Sequence, residues 1–233
     1  MLSKQEKSPA NNTWIFFDYS GTLVDTVTAL SQTWSRFLGK EFPPEKVINF
    51  YNDYHRLNKI TLMIKYRLNP FKFLLRKDEF EEIRTEEFLK SVKAFPGIPE
   101  MLQRLRKSTV AKLGLVSHEI KLLEEEKRKE FFEKFNIPID FDVVLIDGKN
   151  KERAFQEFFE KEQIAYGLFI GDTQFDINLG KKYGLETIGV TWGFSTKEEL
   201  TADFIIEDPR MLLQLILNRL RLAEQKILHG DPI

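Results

Sequence analysis

Short apolar segments recur along most of this chain. Six such segments stand out, and most of them lack the strict apolar–polar alternation of a half-buried strand. Unbroken apolar runs of this length are typical of strands buried on both faces of a parallel sheet. The six predicted strands are residues 14–17, 111–116, 141–146, 167–170, 186–190 and 204–206.

Amphipathic segments with helical spacing separate most of these strands. The clearest examples are residues 98–106, 152–162 and 177–183. Alternation of strand and helix predicts an α/β fold with a Rossmann-like parallel-sheet core.

Residues 27–92 break this alternation, because they contain helical patterns and no convincing strand. Pro43-Pro44 and Asn69-Pro70 punctuate them. We therefore expect a core formed by residues 13–26 and 93–228, an inserted helical cap domain at 27–92, and a disordered polar tail at 1–12. The predicted cap helices are residues 27–38, 45–57, 60–66 and 78–90.

Composition and charge exclude several classes of protein. The chain has 233 residues, of which 42% are hydrophobic, so it has enough apolar material for a large core. A net charge of −1 gives no overall attraction to nucleic acid or membranes. The absence of cysteine excludes disulfides and thiolate metal sites. No apolar run reaches the roughly 18 residues of a membrane span, and no secretion signal is visible, so a cytoplasmic protein is expected.

Reactive side chains follow four of the predicted strands. In open parallel sheets, ligands bind beyond the carboxyl ends of the strands, so side chains placed there converge on one site. The set contains three carboxylates, a hydroxyl and two lysines that are alternatives for one position. These residues are Asp18, Ser117, Lys149, Lys151, Asp172 and Asp176.

These side chains have the chemistry of a metal-assisted phosphoryl-transfer site. Facing carboxylates repel each other unless a cation neutralises them. Oxygen ligands without histidine or cysteine suit a hard ion, and Mg²⁺ is the ion that we expect. A hydroxyl, a lysine and loop amides donate hydrogen bonds to phosphate oxygens. An aspartate in line with the phosphorus can attack it and form an aspartyl-phosphate intermediate.

Four motifs resemble those of the haloacid dehalogenase superfamily. "FFDYSGTLVDT" resembles the first motif, hhhhDxDGTLxD, and "LGLVS" resembles the second, an apolar strand that ends in Ser or Thr. A lysine before a helix resembles the third motif. "LFIGDTQFDINLGKKYGLETIGVTWGF" is similar to the fourth motif and its continuation in phosphoglycolate-phosphatase-type members. The resemblance covers residues 13–217 and implies a Mg²⁺-dependent hydrolase of a small phosphorylated metabolite.

The resemblance also implies roles for individual residues. Asp18 would be the nucleophile and a Mg²⁺ ligand, together with the main-chain carbonyl of Ser20. Asp172 would be the third ligand, Asp176 would support the metal site, and Ser117 would hold the phosphate. Of the two lysines, Lys149 aligns better with the KPxP form of the third motif. Lys151 fits the form in which the lysine opens a helix, and it is slightly favoured.

Ser20 departs from the usual first motif, which has aspartate at this position. That aspartate protonates the leaving oxygen and then activates water, and such acid–base catalysis contributes on the order of 10²–10⁴-fold. Serine lacks a carboxylate for this exchange. Ser20 therefore keeps other interpretations open: a phosphonatase, a dehalogenase, or a catalytically weakened protein that binds a phosphorylated ligand. The intact "GDTQFD" segment argues against the dehalogenase.

Two further segments each have a structural and a functional interpretation. Residues 54–77 contain seven basic and no acidic residues, which favours a solvated helical face over a surface that attracts an anionic partner. Nucleic acid is disfavoured as that partner, because nothing resembles a known binding module. Residues 210–228 have helical apolar spacing and predict a last core helix, with a homodimer contact as the alternative. His118, directly after Ser117, is expected to line the pocket or to pack beside Ser117.

Overall fold

A six-stranded parallel sheet forms the centre of the computed structural model, which describes residues 12–54, 56–118, 125–134, 137, 141–146 and 150–229. The described residues contain eight strands, six in this sheet and two in a separate short pair. In chain order they are β1 (Thr13–Asp18), β2 (Val24–Asp25), β3 (Lys93–Ala94), β4 (Lys112–Ser117), β5 (Val143–Ile146), β6 (Tyr166–Gly171), β7 (Glu186–Val190) and β8 (Phe204–Ile206). The separate pair is β2 and β3. The order in the large sheet is β5-β4-β1-β6-β7-β8, with every pair parallel. The predicted α/β fold with a Rossmann-like parallel sheet is therefore confirmed.

Helices surround this sheet. They are α1 (Val27–Leu38), α2 (Pro44–Tyr54), α3 (Lys59–Lys65), α4 (Pro70–Leu75), α5 (Lys77–Ser91), α6 (Ile98–Ser108), α7 (Glu125–Lys134), α8 (Lys151–Phe159), α9 (Gln174–Lys182) and α10 (Pro209–His229). None of the helices in the described ranges is long and apolar enough to cross a membrane.

Asn69-Pro70 separates α3 from α4, as predicted, and it also begins α4, a helix that is not among those predicted from the sequence. The Asn69 side chain accepts hydrogen bonds from the backbone N–H groups of Phe71 and Lys72, at 3.0 and 3.1 Å. Pro70 then occupies the first turn, where its missing N–H costs nothing. A proline that separates two helices is therefore also the first residue of the second helix.

Central strand β1 is buried on both faces, which explains its unbroken apolar sequence. Ile15 and Phe17 belong to one hydrophobic cluster, whereas Trp14 and Phe16 belong to a second cluster on the other face. The Phe16 ring packs so closely on β4 that a Cβ at Gly114 would lie 2.4 Å from it. This packing fixes β1 in the middle of the sheet.

The segment that contains α1–α5 leaves and rejoins the sheet at one place. Short strands β2 and β3 form an antiparallel pair, with Val24 opposite Ala94 and Asp25 opposite Lys93. Helices α1 and α5 pack against each other beyond this pair. The division into a core at 13–26 and 93–228 and a cap at 27–92 stays a prediction. Of the predicted tail at 1–12, residues 1–11 lie outside the described part of the chain.

The last helix, α10, buries one apolar face against the rest of the protein. Leu212, Ile216 and Leu220 are buried, and the helix packs against α6. This agrees with the predicted core helix, while the homodimer alternative stays a prediction.

Candidate active site

Strand register brings three of the expected residues to one edge of the sheet. Asp18 at the end of β1 lies opposite Val116 of β4, so Ser117 follows directly beside it. On the other side of β1, Phe17 lies opposite Ile170 of β6, so Asp172 follows just beyond that strand. Parallel neighbours end at the same edge, and adjacent strands therefore deliver these side chains to one place.

Three buried carboxylates meet at this edge. Asp18, Asp172 and Asp176 each offer a carboxylate oxygen, and these oxygens lie within 4.8 Å of one another. The three residues are 7%, 0% and 2% exposed. Charges so close together and so poorly solvated repel strongly, and they need a positive partner.

Lys151 supplies one positive charge. Its Nζ donates hydrogen bonds to Asp18 Oδ1 and, at 2.6 Å, to Asp176 Oδ1, and the residue is 2% exposed. Lys151 is the first residue of α8, which Asn150 caps by accepting a backbone N–H. A helix N-terminus disfavours a cation, so the two carboxylates must compensate for this placement. The alternative, Lys149, lies outside the described residues.

Burial and charge shift the pKa values of all four groups. Burial raises the pKa of Asp18 to about 7, although Lys151 opposes this shift. Burial and the nearby Asp18 also raise the pKa of Asp172 well above its usual value. Burial opposes the charges on Asp176 and Lys151, but their mutual attraction lowers the pKa of Asp176 and raises that of Lys151. One lysine therefore does not compensate for three carboxylates.

Asp172 is held by two donors that the sequence reasoning did not identify. Its Oδ1 accepts a hydrogen bond from the Thr22 hydroxyl at 3.1 Å, and its Oδ2 accepts one from the Phe194 N–H at 2.7 Å. A Cβ at Gly21 or Gly193 would lie 2.1 or 2.2 Å from Asp172 Oδ2, and Gly21 also has a φ of +85°. Thr22 lies within the first motif, whereas no local pattern points to the backbone of Phe194.

Asp176 combines a structural and an electrostatic role. Its Oδ2 accepts hydrogen bonds from the Thr173 N–H at 3.2 Å and the Thr173 hydroxyl at 2.6 Å, which forms the capping box of α9. Its Oδ1 binds Lys151. Since each oxygen already has a protein donor, Asp176 is well placed to orient Lys151. Its predicted support of a metal stays a prediction.

The remaining predicted residues line a cavity above the carboxylates. Ser20 is half-buried in the loop after β1, Ser117 is buried, and both line the cavity. His118 is exposed and also lines it, with its ring centroid 5.9 Å from that of Phe175. By contrast, Asp25 accepts the Val27 N–H at 3.0 Å near the start of α1 and is absent from the cavity lining.

The cavity has a volume of about 810 Å³ and extends from the carboxylates to helices α1–α5. The helical wall is largely aromatic and aliphatic, with Trp34, Phe50 and Phe80 among its members. Sequence reasoning missed these residues as site residues, since apolar positions at helical spacing are also typical of an ordinary core.

The residues present fit a divalent hard cation. The carboxylate cluster offers oxygen atoms only, which is the donor set that Mg²⁺ prefers. Three carboxylates and Lys151 carry a formal charge of −2 when all are ionised, which a divalent ion balances. Asp18 and Asp172 are the side chains that would hold it.

Replacing Lys151 with methionine tests the buried ion pairs. Removing one partner of a buried pair leaves an uncompensated charge, so Lys151→Met should lower the free energy of unfolding by about 3–5 kcal/mol at neutral pH without metal. The measurement is urea unfolding.

The matched control is Lys182→Met, which removes an exposed lysine that pairs with Glu152, also on α8. In the same urea titration, it should leave the free energy of unfolding essentially unchanged. Equal effects of the two substitutions would contradict the role assigned to Lys151.

Comparisons with known proteins agree with this geometry. A family profile described as haloacid dehalogenase-like hydrolase matches residues 15–190. The chain is 26% identical over 217 residues to the phosphoglycolate phosphatase of Synechococcus elongatus, covering 89% of this chain and 98% of that protein. It is 27% identical over 223 residues to the phosphoglycolate phosphatase of Aquifex aeolicus, covering 88% and 97%.

A solved structure shares the fold. A haloacid dehalogenase-like hydrolase from Streptococcus pneumoniae superimposes with a TM-score of 0.69 at 21% identity, covering 88% of this chain and 99% of that one. The family profile spans most of the sequence, from β1 to β7, and includes Asp18, Ser20, Ser117, Lys151, Asp172 and Asp176. The chain therefore belongs to the haloacid dehalogenase-like hydrolase family.

Proposed function

We propose that this protein is a Mg²⁺-dependent phosphatase that hydrolyses a small organic phosphate through an aspartyl-phosphate intermediate. The observation that carries the proposal is the buried cluster of Asp18, Asp172 and Asp176 around Lys151, at the base of an open cavity. Relatives named phosphoglycolate phosphatase support the reaction class.

In the first step, an oxygen of Asp18 attacks the phosphorus of the bound ester. A new bond forms between that oxygen and phosphorus, the ester P–O bond breaks, and the organic group leaves as an alkoxide or phenoxide. The ion pair with Lys151 holds the Asp18 carboxylate in one orientation. Ser117 donates its hydroxyl to a phosphate oxygen from the neighbouring strand. Mg²⁺ on Asp18, Asp172 and the Ser20 carbonyl would neutralise phosphate charge and thereby permit attack by an anion.

In the second step, water hydrolyses the aspartyl phosphate. The products are inorganic phosphate and the free Asp18 carboxylate, and the released proton balances the one taken up by the departing oxygen. Ser20 lines this part of the cavity but has no carboxylate to move either proton. We expect solvent to exchange both protons, so turnover should depend on the basicity of the leaving group.

Magnesium titration tests the metal site independently of the substrate. The melting temperature of chelator-treated protein should rise on addition of Mg²⁺. The reason is that a ligand that binds only the folded state stabilises it by about 2.7 kcal/mol at 100 times its Kd. Mg²⁺ should also restore hydrolysis of phenyl phosphate. Asp172→Asn should lose both responses.

Asp203→Asn is the control for Asp172→Asn. Asp203 also binds a threonine hydroxyl and a backbone N–H, both from Thr187, but it lies outside the cavity lining. Its variant should keep the Mg²⁺ response even if it is less stable. A full response in Asp172→Asn would place the metal elsewhere.

Two alternatives have particular observations behind them. Ser20 favours a weakened protein that binds a phosphorylated ligand without turnover, and failure to hydrolyse phenyl phosphate with Mg²⁺ would support it. A phosphonatase needs a cap lysine that forms a Schiff base, and Lys59 lines the cavity. Schiff-base lysines are activated by desolvation or a nearby cation, whereas Lys59 is exposed. The phosphatase is therefore the better-supported function.

A further inference from the structure

The walls of the cavity differ sharply in chemistry. The floor carries the carboxylates, Lys151 and Ser117, whereas the wall formed by α1–α5 is mainly apolar. A volume of about 810 Å³ lies in the upper part of the roughly 300–1,000 Å³ range of cavities that enclose drug-sized ligands. A phosphoryl group bound at the floor therefore leaves most of the space for the organic part of the substrate.

One side of α1, with the residue that precedes it, lines this space. Thr26, Leu30 and Trp34 all line the cavity, and their four-residue spacing places them along one side of the helix. With a rise of 1.5 Å per residue, they span roughly 12 Å. The cavity thus has room for a ring system beside the phosphoryl group, and a two-carbon acid would leave most of it unfilled.

The far end of the cavity is lined by an aromatic cluster. The ring of Trp34 lies 4.6 Å from that of Phe80, 5.3 Å from that of Phe50 and 5.8 Å from that of Phe73, measured between centroids. All four residues line the cavity. Such rings bind another ring by stacked or edge-to-face contacts and offer little to an anion.

Charged side chains on the helical wall are few, and each of them is exposed or in an ion pair. Among the described residues of α1–α5 that line the cavity, three are charged: Lys59, Glu81 and Arg84. Arg84 forms an ion pair with Glu81 at 3.0 Å, and Lys59 is exposed. A second anionic group on the substrate would be desolvated against the apolar wall without an uncommitted buried cation on that wall.

The entrance to the cavity is also apolar. Ile60 and Leu74 line it, yet they are 65% and 70% exposed, so they lie where the cavity meets solvent. Large apolar side chains at the rim of a pocket indicate a surface that an apolar ligand covers.

We propose that the organic group of the substrate is aromatic and bulky, and that it fills the space beneath α1–α5. The proposal rests on the proposed phosphatase function and names its substrate class: aryl phosphates with more than one ring or a ring of comparable bulk. It agrees with Ser20, because a phenoxide leaves as a weaker base than an alkoxide and needs less protonation. Phosphoglycolate has a small organic part that ends in a second anionic group, a carboxylate. It is expected to be a poor substrate despite the names of the relatives.

The test is steady-state kinetics on three phosphates with Mg²⁺. Phenyl phosphate and biphenyl-4-yl phosphate have phenol leaving groups of similar basicity, so they differ mainly in bulk. The kcat/KM of the biphenylyl ester should be at least 10-fold higher, mostly through KM, and that of phosphoglycolate at least 100-fold lower than the biphenylyl value. Equal values for the two aryl esters, or a preference for phosphoglycolate, would overturn the inference while leaving the phosphatase function intact. No Mg²⁺-dependent turnover of any of the three would overturn the phosphatase function itself.

A pair of neighbouring variants locates the organic group. Leu74 and Leu75 both end α4 exposed, at 70% and 86%, but only Leu74 of the two lines the cavity. Leu74→Gln should lower the ratio of kcat/KM for the biphenylyl ester to that for phenyl phosphate at least 3-fold. Leu75→Gln, which makes the same change without altering net charge, should leave this ratio unchanged. Identical kinetics of the two variants would contradict the proposed position.

Discussion

Replacement of Asp18 by asparagine should reduce turnover by at least about 1000-fold, because it removes the atom that forms the bond to phosphorus. The fold should survive. Three carboxylates face one lysine at this site, so loss of one negative charge relieves repulsion. The melting temperature of the metal-free variant should therefore equal or exceed that of the wild type. The measurements are phenyl phosphate hydrolysis and thermal unfolding on the same preparations.

Asp25→Asn provides the matched control. Asp25 lies seven residues later in the same motif, but its carboxylate accepts the Val27 N–H and does not line the cavity. Asparagine keeps that acceptor, so activity should stay within a few-fold of wild type. If Asp18→Asn retained more than a few per cent of activity, Asp18 would not be the nucleophile.

Replacement of Ser20 by aspartate should increase the kcat for benzyl phosphate by about 100-fold or more. The substitution supplies the missing carboxylic acid at the usual spacing from Asp18. Benzyl phosphate and phenyl phosphate are similar in size and both are aromatic, but benzyl alkoxide is far more basic than phenoxide. Phenyl phosphate should therefore gain less, unless hydrolysis of the aspartyl phosphate limits both reactions. Steady-state kinetics on the two esters measures the difference.

Ser20→Asn separates acid–base catalysis from shape. Asparagine has nearly the size of aspartate but exchanges no proton near neutral pH, so it should give no comparable gain. If the wild type already hydrolyses benzyl phosphate as fast as Ser20→Asp, another group supplies the proton. His118 is then the first candidate, because it lines the same cavity one residue after Ser117.

The basic segment 54–77 illustrates how local patterns leave function open. Lys65 pairs with Asp53 and Arg76 pairs with Glu79, so part of its charge is committed within the protein. This agrees with the solvated-face interpretation for those two residues. The apolar residues between the charges matter more to the proposed site, since Leu62, Met63 and Phe73 line the cavity.

The fold class, most of the helices and strands, and the edge of the sheet that carries the site were predictable from the amino-acid sequence. Strand β7 (Glu186–Val190) and helix α1 (Val27–Leu38) have the predicted bounds. A strand that is buried on both faces has an unbroken apolar sequence, and the first polar residue after that run marks the carboxyl end of the strand. For that reason Asp18, Ser117 and Asp172 could be assigned to one edge before any contact was known.

The contacts of these carboxylates became visible only in the folded protein: Lys151 was one of two lysines that the sequence offered, and Thr22 was not expected at the site. Lys151 reaches Asp18 across 133 positions of sequence, and Thr22 reaches Asp172 across 150. Such contacts depend on strand order and helix placement, which the local sequence pattern around either partner does not encode. The residues of the cavity wall could not be predicted from the sequence for a related reason. An apolar side chain that faces a cavity and one that faces the core have the same helical spacing. Their difference arises only when α1–α5 are packed above the sheet.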